Sequence, residues 1–209
     1  MIILEDKGQT LGKHIVKNDW FKGQGIEVMR VPLPVGDYVL MNERTQDVIN
    51  RKSKRNTDLK KMDFLGTYTI SVDTKKDLAE IYNNLVGKSH ARFRDECILA
   101  QNNGIQLIIL CEHSNHIKTI DDVRSWGNPR IKAWEKEIKK LAGFDPKYEV
   151  GSAINYLKQN KIKFKKSPMT GNQIADIMET MTEKYGVKWL FCDKAHTGKM
   201  IVEILSREV

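Results

Sequence analysis

The stretch from Tyr68 to Glu96 constrains this chain most. Tyr68-Thr-Ile-Ser-Val72 is rich in β-branched residues and predicts a strand. Apolar residues at Leu78, Ile81 and Leu85, then Phe93, Cys97 and Ile98, follow at helical spacing, with a break near Gly87 and a stop at Gly104. The continuous apolar run Ile105–Cys111 then suits a central strand covered on both faces. Strands alternating with helices imply an α/β sheet with parallel parts. Between the first strand and its helix stand Asp73, Thr74 and Lys75. Residues two apart on a strand share a face, roughly 7 Å apart, so Asp73 and Lys75 project together from the strand's end. A carboxylate there can hold a hard divalent cation such as Mg²⁺, and a neighbouring lysine can orient a water or stabilise charge developing on a phosphate. Alone the triplet is a weak signal, because charged triplets end many strands as solvated surface.

The chain on either side fills in a sheet. Met1–Leu4 predicts a short buried strand ending at Glu5-Asp6, and 13–22 a helix stopped by Gly23-Gln-Gly25. Ile26–Val31 alternates like a strand, Pro32–Asp37 is a turn, and Tyr38–Met41 is strand again. The polar residues 42–46 look like a hairpin tip with 47–50 as the return strand, and 51–58 a basic, polar loop. Thr119-Ile-Asp-Asp122 looks like a helix start, with carboxylates near the positive end of its dipole. Pro168 opens an amphipathic helix through Ile174, Ile177, Met178 and Met181; Val187–Cys192 predicts a strand, and Ile201 and Leu205 sit in a last helix. The expectation is a single domain over 1–209, with a basic loop at about 51–66 and a lysine-rich, partly helical insertion or arm at about 130–167.

Charge narrows the partners. Charged residues make up 30% of the chain and the formal net charge is +8, a balance that favours polyanions, nucleic acid first. The three cysteines, Cys97, Cys111 and Cys192, are isolated, which points to buried thiols in a reducing compartment. Met1-Ile-Ile-Leu runs at once into Glu5-Asp6, unlike a signal peptide, and the longest apolar run, Leu107–Cys111, is far too short to span a bilayer. The expected location is cytoplasmic, in a bacterial or phage-infected cell, with no membrane partner.

Gly36-Asp37, before the strand at Tyr38, is ordinary turn chemistry by itself. Combined with Asp73-Thr-Lys75 it could set two carboxylates and an amine around one metal, the spacing logic of the PD-(D/E)xK nuclease fold. In that light the sequence resembles the XPF-type nuclease domain in its small single-domain form. Ile3-Leu-Glu-Asp6 looks like the family's opening strand, Leu33-Pro-Val-Gly-Asp37-Tyr-Val-Leu40 is similar to its Gly-Asp motif, and Val72-Asp-Thr-Lys75 stands where the family has Glu-Arg-Lys. Asp77-Leu78, Arg92–Cys97, Leu107–Glu112 and 185–205 resemble the elements that follow. The resemblance covers roughly 1–130 and 168–209 and lies in order and combination more than in any one motif. Thr74 departs from the family's arginine and Asp73 from its glutamate. A competing register puts Asn50-Arg51-Lys52 at the Glu-Arg-Lys position; there the acid is an amide, a poor Mg²⁺ ligand, and the site is silent.

The resemblance implies a mixed α/β sheet flanked by helices and a metal-dependent DNA endonuclease, selective for branched, forked or flapped DNA. It implies Mg²⁺ or Mn²⁺ as cofactor, with no small-molecule cofactor and with a homodimer as one assembly. Asp37, Asp73 and Lys75 are the expected catalytic residues, and Asp37, Asp73 and Asp6 the expected metal ligands. Arg51, Lys52, Lys54, Arg55, Arg92 and Arg94 are expected to contact DNA, with further lysines in 158–166. The alternative is a catalytically silent DNA-binding or scaffold protein on the same fold. Glu5 and Glu80 are lesser candidates, as is a zinc pair at His113 and His116, which lacks further ligands at a suitable spacing.

Overall fold

A computed structural model describes residues 1–10, 12–113 and 116–208. The chain runs β1 (Ile2–Asp6), α1 (Ile15–Gly23), β2 (Glu27–Val31), β3 (Tyr38–Leu40), α2 (Glu43–Lys54) and a 3₁₀ turn (Lys61–Phe64). There follow β4 (Ile70–Lys75), α3 (Leu78–Val86), α4 (His90–Asn102), β5 (Gln106–Cys111), α5 (Ile120–Arg124), α6 (Pro129–Leu141) and α7 (Val150–Gln159). Last come α8 (Gly171–Tyr185), β6 (Lys188–Phe191) and α9 (Thr197–Leu205). Among the described residues the strands form one six-stranded sheet in the order β2-β1-β3-β4-β5-β6. Only β3 runs against the others: it pairs antiparallel with β1 and β4, while β2, β5 and β6 join in parallel. The α/β sheet is therefore mixed, as expected.

Two compact units divide the chain, residues 1–120 with 177–209, and residues 121–176. In the first, Ile3, Tyr38, Val72, Ile108 and Leu110 of the sheet pack with Phe21 of α1 and Ile201, Ile204 and Leu205 of α9. Trp20 closes on α9 so tightly that a methyl at Gly198 would lie 2.7 Å from its ring. On the other face Phe93 of α4 meets Trp189 of β6 with ring centroids 6.2 Å apart. The second unit has its own core. Ile138 and Ala142 from the α6 end pack with Ala153 and Leu157 of α7, bordered by Trp134, Phe144 and Phe164. The lysine-rich stretch, expected to be partly helical, thus carries two helices on a core of its own.

Two expectations need correction. The hairpin expected over 42–50 is helix α2. Extended Asn42 accepts the Thr45 N–H on its side chain, the Thr45 hydroxyl takes the Asn42 N–H, both at 2.9 Å, and this reciprocal cap starts a helix that buries Thr45 and Val48. The helix also takes in Arg51, Lys52 and Lys54, so the basic loop is shorter than expected. Secondly, β4 does not stop at Val72. Parallel pairing to β5 carries it through Asp73, opposite Ile109, to Lys75, opposite Cys111, so Asp73 is fixed within a central strand and Lys75 is its last paired residue.

Candidate active site

The reversal of β3 brings the acids together. Glu5 pairs with Tyr38, and Tyr38 with Val72; one step further along both registers, Asp6, Asp37 and Asp73 stand in a row across three adjacent strands. Backbone bonds fix that row: the Asp6 N–H donates to the Asp37 carbonyl and the Asp37 N–H to the Val72 carbonyl, each at 2.8 Å. Gly36 makes the approach possible. It sits at φ +72°, and a Cβ there would overlap Ser71 Oγ, which itself donates to the Val35 carbonyl at 2.8 Å.

The side chains then close on one another. Lys75 Nζ lies 2.8 and 2.6 Å from the two oxygens of Asp73 and 5.9 Å from the Phe93 ring centroid. Asp37 accepts from the Thr74 N–H at 2.9 Å, the Thr74 hydroxyl at 2.7 Å and the Gln9 side-chain amide. Asp6 accepts the Leu33 N–H at 3.0 Å and pairs with Lys61 at 3.6 Å. Glu96 of α4 takes the Gly36 N–H at 2.8 Å. Asp6, Gln9, Asp37, Lys61, Asp73, Lys75 and Glu96 line an open cleft of about 500 Å³, with exposed Arg92 and Asp95 beside them.

The chain matches the ERCC4 domain over residues 5–204. The chain belongs to that family. It is an XPF-type nuclease domain, a family of DNA nucleases. Among solved structures it is similar to XPF from Aeropyrum pernix, in complex with DNA, at 13% identity and a TM-score of 0.45. That similarity covers 99% of this chain and 64% of the Aeropyrum chain, so the chain spans less than two thirds of that protein. No curated protein matches the chain.

Electrostatics mark the ERCC4 cleft out from the rest of the protein. Asp6, Asp37, Asp73, Asp95 and Glu96 line it against Lys61, Lys75 and Arg92, an excess of two negative charges in a chain of net +8. Burial pushes the Asp73 carboxyl well above the ordinary range; Asp37 and Glu96 push the same way and Lys75 opposes them. Burial works to lower the Lys75 ammonium, but Asp73, Asp37 and Glu96 outweigh it and hold its pKa above the usual value. ERCC4 nucleases generally depend on a divalent metal. Among the described residues no group of three or more His, Cys, Asp and Glu side chains is placed to hold one, because Asp73 is closed on Lys75 and Asp37 on Thr74. The donor set nevertheless fits a hard cation: it is all carboxylate oxygen, largely buried and undercompensated.

Of the residues expected from the sequence, Asp6, Asp37, Asp73, Lys75 and Arg92 line the cleft. Arg94 instead pairs with Asp95 at 2.9 Å. Arg51 turns to the Asp47 carbonyl of its own helix, Lys52 pairs with Asp63 at 2.8 Å, and Lys54 and Arg55 are exposed at the end of α2. Asn50 lies on α2, where it accepts from Gln46 at 3.1 Å, so the register that puts it in the acid position fails: a helix cannot supply the strand partner of β3. Glu80 takes the Lys76 N–H and Glu5 bonds His14, both away from the cleft. Glu96 was missed as a site residue. It follows Arg92 by one helical turn on the same face of α4, but that spacing does not say which face meets the cleft; the bond to Gly36 does. Gln9 gave no signal, because a loop glutamine acquires its role only through the turn that carries it.

Proposed function

We propose that this ERCC4 domain is a divalent-metal-dependent endodeoxyribonuclease selective for branched, forked or flapped DNA. The observation that carries the proposal is the row of Asp37 and Asp73 on adjacent strands beside buried Lys75, in a negative cleft on a basic protein. Asp37 and Asp73 would hold the metal, with Asp6 or Glu96 as a further carboxylate. When bound, the ion supplies Lewis acidity at the scissile phosphate and lowers the pKa of a water. Lys75 stays protonated near neutral pH, because its carboxylate neighbours raise its pKa. It is therefore not a base; it orients the attacking water as a hydrogen-bond donor or stabilises negative charge growing on the phosphate oxygens. Thr74 fixes Asp37 through two hydrogen bonds to one oxygen, leaving the other oxygen to Gln9. In the hydrolysis, water forms a new P–O bond, the sugar oxygen leaves and takes up a proton, and one phosphodiester becomes a phosphomonoester and a hydroxyl.

Backbone contacts come from cations outside the cleft. Residues 121–176 hold 12 Lys and Arg against 7 Asp and Glu, net +5 of the chain's +8, and Lys158, Lys161, Lys163, Lys165 and Lys166 are exposed. Arg51, Lys54 and Arg55 add to these, and Arg92 adds a cation from the cleft itself. A second reading, a silent DNA-binding protein on the same fold, draws support from the two-pronged closure of Lys75 on Asp73. One experiment separates them. Purified protein is incubated with forked, flapped and linear DNA in Mg²⁺ or in EDTA. Cutting of the branched substrates in Mg²⁺ alone supports the nuclease. Binding without any metal-dependent cutting, by protein shown to be folded, leaves the silent reading.

A further inference from the structure

A second concavity, of about 230 Å³, lies where the first turn of α1 meets the ends of β4 and β5, and its charge is of the opposite sign to the cleft. Lys13, His14, Lys17, Lys76, Lys194 and Glu112 line it. Glu112 is taken up by an ion pair with Lys17, so the walls carry a surplus of three lysines. The start of α1 adds to this field: its first turn holds no acidic residue and His14 makes no side-chain cap. His14 supplies an independent sign of a missing partner. It is only 4% exposed, and its Nδ1 lies 2.6 Å from the Tyr38 hydroxyl and 3.0 Å from Glu5. Its Nε2 is buried with no hydrogen-bond partner, which costs free energy unless something fills it.

Resting on the nuclease reading, we propose that this cavity is a second phosphate subsite, one that holds a backbone phosphate of the nucleic-acid substrate outside the acidic cleft. The two sites share a strand. Asp73 and Lys75 line the cleft, while Thr74 and Lys76, which alternate with them, line the cavity. A polyanion crossing the carboxyl end of β4 therefore meets both. The buried histidine nitrogen and the positive end of α1 recognise phosphate oxygens, and Lys76 and Lys194 neutralise them.

The test measures binding of labelled forked DNA in EDTA, so that nothing is cut, across a salt series. The variant Lys76→Ala/Lys194→Ala is compared with Lys22→Ala/Lys188→Ala, which removes the same charge from the far ends of α1 and β6. The cavity variant is expected to bind more weakly, with a salt slope flatter by about 1 to 2 than the control's, and Lys76→Arg/Lys194→Arg to restore it. Slopes identical in the two alanine variants overturn the proposal while leaving the nuclease intact. Failure of the folded wild type to bind any DNA overturns both. Inorganic phosphate is the second probe. If it raises the melting temperature of the wild type but not of the cavity variant, while DNA slopes stay equal, the cavity holds free phosphate and the substrate assignment is wrong.

Discussion

At Asp73 the protein holds a carboxylate where the surroundings favour a neutral group. Its folded-state pKa lies above the unfolded value. By linkage the group stabilises the fold below the ordinary carboxylate range, and that contribution is lost as pH rises through the raised folded value. Asp73→Asn removes that cost but leaves the Lys75 ammonium buried beside a neutral amide, so it should lower the melting temperature at pH 7 to 8 and abolish cleavage, with the loss shrinking near pH 4, where Asp73 is itself protonated. At this size each 1 kcal/mol lost registers as about 2–4 °C. Calorimetry at the two pH values checks it; a raised melting temperature at neutral pH would show that the cost of burying the Asp73 charge outweighs its pairing with Lys75. The same shift sets an activity profile. The acid limb of kcat/KM should lie above the usual carboxylate range and move to lower pH as Mg²⁺ is raised, because metal and proton compete for the same oxygens. A limb insensitive to metal would place the titrating group elsewhere.

At the scale of the element, the turn before β3 does the positioning. Gly36 is needed for its positive φ and for the close approach to Ser71. Gly36→Ala should cost at least about 1–2 kcal/mol from the backbone alone, and cleavage should fall further than stability does, since Asp37 moves with the turn. Denaturant unfolding beside single-turnover rates measures both. The legibility of the sequence divides along the same lines. The Gly-Asp turn and the Asp-x-Lys strand could be read because their chemistry is local: a positive-φ glycine, a β-branched run, a period of two. Helix α2 could not, because Val48 and Ile49 amid polar residues suit either period, and the Asn42–Thr45 cap that decides the matter shows only weakly in sequence. Glu96 belongs to the cleft through a bond to Gly36, sixty residues away in the chain, and no local pattern encodes such a bond. The lysine-rich stretch reads as partly helical, but charge masked the spacing of Ile138, Ala153 and Leu157 that gives its two helices a core of their own.

Over the whole molecule, charge is divided between tasks. The cleft is negative, whereas residues 121–176 hold most of the net positive charge on a small helical core of their own. Substituting Lys163, Lys165 and Lys166 by alanine should flatten the salt dependence of DNA binding by about 3, with the cleavage rate at saturating DNA unchanged; a fall in that saturated rate would assign these lysines to the chemistry. Ile138→Ala, which opens a cavity in that core at a cost of about 2–5 kcal/mol, should lower hydrogen-exchange protection within 121–176 and leave β4 and β5 protected.

The most direct measurement of the central claim is a double-mutant cycle on cleavage, in single turnover with saturating Mg²⁺ and forked DNA. If Asp37 and Asp73 act as one unit, Asp37→Ala and Asp73→Ala each lose nearly all of the rate, and the double variant loses no more than either alone. A single variant that cuts at the wild-type rate, or losses that simply add, would contradict the account.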